Sequence, residues 1–144
     1  MRTVDTQIEI AAPAERVWNL LTDFGAFPDW NPFMRRVEGA PIVGTRLEVT
    51  IQPPGRGPTT FKPTVLEADA NHQLGWLGRL VFPGVFDGRH TLTIQGDDGG
   101  RSVFRQREVF TGILVPFLAG MLRDTERGFV KMNEALKQRA EAAG

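Results

Sequence analysis

Val4, Thr6, Ile8 and Ile10 alternate with Asp5, Gln7 and Glu9, a period of two that predicts a β-strand with one wet face over residues 4–10. Pro13 then stands where a first helical turn tolerates proline, and Val17, Trp18, Leu20 and Leu21 supply the apolar face of a short helix ending near Asp23. Residues 24–34 mix turn formers with Phe24, Phe27, Trp30 and Phe33, which predicts a second short helix or a tight loop. Alternating sets recur after that: Leu47, Val49 and Ile51; Phe61, Pro63 and Val65, with Pro63 expected at an edge or bulge; Leu74 and Trp76. Residues 82–88 read as a loop, and two more strands flank the turn Asp97-Asp98-Gly99-Gly100. Gly- and Pro-rich turns at this spacing predict an antiparallel meander rather than βαβ units.

The period then changes. Leu118, Met121, Leu122, Thr125, Phe129, Met132 and Leu136 recur at steps of three and four, with Arg123, Asp124, Arg127, Lys131, Glu134 and Lys137 opposite them. They predict one long amphipathic helix from Pro116, about 30 Å or more at 1.5 Å per residue. The expected fold is α+β of the helix-grip type: a curved antiparallel sheet of six or more strands wrapped round that helix. Such a sheet encloses more volume than side chains readily fill, so a central cavity is expected beneath the helix. Gly120 and Gly128 lie within the helix, where glycine costs about 1 kcal/mol relative to alanine. Close packing against the sheet and a hinge that opens the cavity both fit them.

Composition narrows the function classes. The 144 residues suit one domain, 1–144, with a single core. Seventeen basic residues balance seventeen acidic ones, which gives no net field for nucleic acid or anionic membranes. The absence of cysteine removes disulfides and thiolate chemistry. With no signal-like start and no membrane-length apolar run, a cytoplasmic protein without stable membrane insertion is expected. His72 and His90 lie on different predicted strands without a carboxylate motif, so no metal site is expected, and no phosphate loop or serine elbow calls for a cofactor or a hydrolase.

The segments Ala12-Pro13-Ala14-Glu15-Arg16-Val17-Trp18, Leu21-Thr22-Asp23-Phe24 and Pro28-Asp29-Trp30-Asn31-Pro32-Phe33 come in a recognisable order. So do Val37-Glu38-Gly39, Gly44-Thr45, Phe86-Asp87-Gly88-Arg89-His90, Gln106-Arg107-Glu108, Phe110-Thr111-Gly112, Gly128-Phe129 and Met132-Asn133. Together they resemble the SRPBCC group, the START and Bet v 1-like superfamily, especially its polyketide cyclase/dehydrase-like branch, over nearly the whole chain. The resemblance implies a βααβ start, a seven-stranded antiparallel sheet and a gripped C-terminal helix. It also implies an apolar ligand such as a lipid or polyketide in the cavity, with conversion of that ligand in some members. The expected function is binding of a hydrophobic small molecule, by a monomer or homodimer. The alternatives are a cyclase or dehydratase using the same cavity, and a small interaction domain that engages a protein through the loop Phe82 to Phe86.

Strand alternation puts His90 with Leu92 and Ile94 on the inner side, and Phe104, Gln106, Glu108 and Phe110 are taken as the inner set of the next strand. A three-residue loop at 98–100 would set Ile94 opposite Phe104, Leu92 opposite Gln106 and His90 opposite Glu108, their Cβ atoms about 5 Å apart and able to pair directly. His90 and Glu108 are therefore the candidate catalytic pair, an acid and a base for enolisation or dehydration. A polar clamp that orients a ligand and a purely structural pair are the other two roles that fit. Trp30, Asn31, Phe33, Trp76, Phe110, Phe117, Met121 and Phe129 are the expected wall and mouth, joined by His90, Gln106 and Glu108 as polar contacts. Asn31, an amide among aromatics followed by Pro32, could equally serve as a helix cap.

Overall fold

The computed structural model describes residues 1–79 and 82–142. The chain opens with β1 (Arg2–Ile10), α1 (Ala14–Thr22), a 3-10 turn at Phe24–Ala26, α2 (Phe27–Trp30) and β2 (Met34–Glu38). It continues through β3 (Glu48–Ile51), β4 (Thr59–Phe61), β5 (Thr64–Asp69), β6 (Gln73–Arg79), β7 (Asp87–Gly96) and β8 (Ser102–Thr111). A second 3-10 turn, Val115–Phe117, leads into α3 (Ala119–Glu141).

Two antiparallel ladders run in the orders β1-β8-β7-β6-β5 and β2-β3-β4. They meet at the Lys62–Pro63 break between β4 and β5, where Pro63 has no N–H for a ladder. Its carbonyl still accepts Leu47 N at 2.7 Å, Val65 N donates to Thr45 O at 2.9 Å, and Arg46 bridges Thr64. With β4 and β5 taken as one strand interrupted by that proline, the curved sheet has the seven strands expected. β2 has no counterpart in the alternating pattern. A bulge between Met34 and Arg36 puts its two buried residues, Met34 and Val37, three apart and hides the period of two.

The long helix begins at Ala119 rather than Pro116, because Leu118 (φ −115°, ψ 22°) separates it from the preceding turn. Its buried face, Leu122, Thr125, Gly128, Phe129, Met132, Asn133, Leu136 and Ala140, lies against the sheet. Gly128 is a packing glycine: a Cβ there would come within 2.3 Å of Phe33 Cδ1. Gly120 meets only the ends of two arginine side chains, 3.8 Å away. Arg16 of α1 fastens the far end of α3, donating from Nε to Ala140 O (2.5 Å) and from Nη2 to Ala142 O (3.1 Å). Lys137 adds a bond to Glu9 O on β1 (3.0 Å). Among the described residues, no helix is long and apolar enough to cross a membrane.

Candidate functional site

The β7–β8 hairpin has the expected register, with Ile94 opposite Phe104, Leu92 opposite Gln106 and His90 opposite Glu108. The loop is closed by Asp97, whose N–H donates to Arg101 O and whose Oδ1 accepts from Gly99 N and Arg101 N. His90, Gln106 and Glu108 therefore share the concave face under α3.

His90 is 2% exposed and sits in a ring sandwich. Phe129 of α3 stacks on it at 4.7 Å and 14°, Trp76 of β6 meets it edge-on at 5.4 Å, and Phe33 lies edge-on to Phe129 at 5.6 Å. Three of the expected wall residues thus meet around His90, but they fill the middle of the grip with rings rather than line an open space there. Two surface depressions, of about 400 and 340 Å³, lie elsewhere: one between Thr6 and the outer side of α3, the other along α1.

The hydrogen bond of His90 goes to Gln106, not to Glu108: Nε2 and Gln106 Oε1 are 3.0 Å apart. Gln106 Nε2 donates to Asn133 Oδ1 (2.7 Å) and, at 3.4 Å, to Phe129 O, and Asn133 Nδ2 donates to Thr6 Oγ1 (2.9 Å). Glu108 Oε1 stands 3.9 Å from His90 Nδ1, beyond hydrogen-bond reach. The register brings His90 and Glu108 close without the expected direct pairing, and the bond that holds the imidazole is made on its far side by Gln106.

Burial pushes His90 down to about 4, against the smaller upward pull of Gln106, and pushes Glu108 up to about 8. At neutral pH the site holds a neutral imidazole beside a protonated carboxyl. Desolvating two charges at this depth costs more than their attraction across 3.9 Å returns.

Glu108 is the accessible end of the site. Its side chain keeps 14% exposure and makes no hydrogen bond among the described residues. The carboxyl occupies space left by Gly88, where a Cβ would fall 2.4 Å from Oε2 and 3.4 Å from Phe110 Cε1. Phe86 stacks on Phe110 at 5.4 Å and 9°. Bonds from Ile113 N to Gly84 O and from Leu114 N to Val85 O pin the loop that carries Phe86. That loop also carries Phe82, which is exposed.

The other expected wall residues lie apart from the trio. Trp30 packs edge-on against Phe27 at 5.3 Å, and its Nε1 has no partner among the described residues. Asn31 is buried and holds backbone, Oδ1 accepting from Phe33 N (3.0 Å) and Met34 N (2.9 Å). This is an Asx-type turn into β2 rather than the expected helix cap, because no helix starts after Asn31, and Nδ2 has no partner among the described residues. Met121 is half-buried in the first turn of α3. Phe117 is corrected: it is 80% exposed in the turn before α3, since the helical phase that would have turned it inward starts only at Ala119. Sequence reasoning missed Asn133, Phe86 and the clearance at Gly88. Asn133 was findable, because it lies four residues after Phe129 on the same helical face.

The comparisons with known proteins agree with this architecture. No curated protein sequence matches the chain. Among solved structures, protein MLL2253 of Mesorhizobium loti is 22% identical, with a TM-score of 0.78 and 99% of each chain covered. A START superfamily protein of Mycobacterium smegmatis is 19% identical, with a TM-score of 0.76 and 99% of each chain covered. The Zhui aromatase/cyclase of Streptomyces sp. R1128 is 21% identical, with a TM-score of 0.76 over 99% of this chain and 98% of that one. At such identities the likeness is one of fold. The sequence profile described as "Polyketide cyclase / dehydrase and lipid transport" matches residues 1–141. The chain therefore belongs to the polyketide cyclase/dehydrase and lipid transport family.

Proposed function

We propose that this domain binds an apolar, ring-bearing small molecule that carries a hydroxyl or carbonyl group, seated at the Glu108 end of the grip. The observation that carries the reading is Glu108 itself, a partly accessible carboxyl without a hydrogen bond among the described residues, set among Phe110, Phe86 and the ring of His90. The carboxyl faces what solvent reaches this end, and a ligand oxygen that took over its hydrogen bonding would do so against apolar rings, where such a bond is stronger than in water. Because the carboxyl is protonated at neutral pH, it donates to a hydroxyl or carbonyl. A ligand carboxylate would have to be desolvated there with no cation among the described residues placed to meet it.

Native mass spectrometry of protein purified under mild conditions checks for a retained apolar mass. Titration with 2-naphthol and 2-naphthoate, followed by tryptophan fluorescence, checks the chemistry. The alcohol is expected to bind more tightly, with the preference reduced in Glu108→Gln; equal affinities, or no binding of either probe, would overturn the reading.

A cyclase or dehydratase is the second reading, favoured by a neutral acid standing 3.9 Å from a neutral base. In it, His90 Nδ1 accepts a proton from a carbon next to a ligand carbonyl while Glu108 donates one to the carbonyl oxygen. Single-turnover assays of His90→Ala on a converted ligand separate the readings: unchanged conversion with unchanged affinity removes the catalytic one.

A further inference from the structure

Phe129 O can only accept a hydrogen bond, so the Gln106 amide atom 3.4 Å from it is the NH2. The same nitrogen donates to Asn133 Oδ1 at 2.7 Å, and Asn133 completes its own amide on Thr6 Oγ1. The amide of Gln106 therefore has one orientation, with Oε1 turned to His90 Nε2 at 3.0 Å. A carbonyl oxygen cannot donate, so the ring proton has to sit on Nε2. A neutral imidazole has only one such proton, and burial keeps His90 neutral. Nδ1 is then bare, and it is the nitrogen that faces Glu108. His90, Gln106 and Asn133 are all buried, so water does not compete for these bonds.

We propose that Gln106 and Asn133 are positioning residues that lock His90 in the Nε2–H tautomer, so that Nδ1 offers an unprotonated lone pair to the Glu108 end of the site. The functional meaning of the lock rests on the reading of that end as the binding site, but its test needs no ligand, so the two can fail separately. The chain Thr6–Asn133–Gln106–His90 orients and does not conduct, because neither amide has a proton to hand on easily. It presents two complementary groups side by side, an O–H donor on Glu108 and an acceptor on Nδ1. A single ligand hydroxyl placed between them can bridge the 3.9 Å that separates them.

Nitrogen-15 spectra of the full chain at pH 7 test the lock, with exposed His72 as the internal reference for an unconstrained ring. The wild type is expected to show one His90 species, with Nε2 protonated and slow to exchange and Nδ1 bare. Gln106→Leu removes the acceptor, and the tautomer ratio is expected to shift about tenfold toward Nδ1–H, the worth of one buried hydrogen bond. Asn133→Asp still accepts from Gln106 Nε2 and is expected to keep the wild-type tautomer. Nδ1–H in the wild type would overturn the proposal even if Gln106→Leu failed to fold. So would a folded Gln106→Leu with an unchanged tautomer ratio.

Discussion

Gly128→Ala puts a methyl carbon where the Phe33 ring already lies, 2.3 Å from Cδ1, 2.6 Å from Cε1 and 3.1 Å from Cγ. Carbon atoms in contact ordinarily sit about 3.5–4.0 Å apart, so the ring has to move by more than 1 Å. Phe33 has little room, being 2% exposed and edge-on to Phe129, which is itself stacked on His90. Overpacking of this kind costs about 1–3 kcal/mol, and the overlap places it toward the top of that range. Against it stands a gain of about 1 kcal/mol for alanine over glycine inside a helix. The expected net effect is a loss of about 1–2 kcal/mol, read as a lower urea midpoint and a Tm lower by roughly 3–8 °C for a domain of this size. Gly120→Ala on the same helix makes only ordinary contact with two arginine ends at 3.8 Å and is expected to stabilise by up to about 1 kcal/mol. Combining Gly128→Ala with Phe33→Leu should recover at least half of the loss, since the two residues share the overlap. A Gly128→Ala protein as stable as the wild type would refute the reasoning. It would mean that Phe33 does not pack on α3 and that the glycine serves motion.

The pH dependence of stability separates the two buried groups. Folding raises Glu108 from 4.5 to about 8, so stability falls as pH rises across that window; folding lowers His90 from 6.5 to about 4, so stability rises between those values. The slopes oppose each other below 6.5, and denaturation between pH 6.5 and 8 should show a net fall of up to about 2 kcal/mol that Glu108→Gln abolishes. Gly88→Ala should displace the flexible Glu108 carboxyl toward water at little cost in stability, and a carbon-13 carboxyl titration should find its pKa moved down toward the ordinary range. Arg16→Ala strips the last carbonyls of α3 of their partner, and a loss of about 1–2 kcal/mol with faster amide exchange confined to the final turns is expected.

What the sequence made legible follows from what periodicity can encode. The inward set on β7 and its partners on β8 came from alternation plus one loop length, and both are backbone properties that a one-residue slip would have reversed. The break at Pro63 was readable because proline lacks a donor. β2 was not, because a bulge erases alternation locally. At the site, placing His90 opposite Glu108 did not show which side chain takes the imidazole. That depends on Asn133, supplied from a helix 27 residues beyond Gln106. Phe117 was misplaced because a step of four to Met121 looks helical even where the backbone is still a 3-10 turn. How far rings would fill the grip was also outside the pattern, since it depends on the close approach of Phe33 to a helical glycine.

The central claim is that the accessible end of the grip, marked by Glu108, seats an apolar guest through a neutral polar pair. A crystal structure of the protein soaked with 2-naphthol addresses it most directly. The account predicts the naphthyl rings against Phe110 and Phe86, with the hydroxyl within hydrogen-bond distance of both Glu108 and His90 Nδ1. A probe seated only in the outer groove by Thr6 and Val130, with the Glu108 end unchanged, would contradict it.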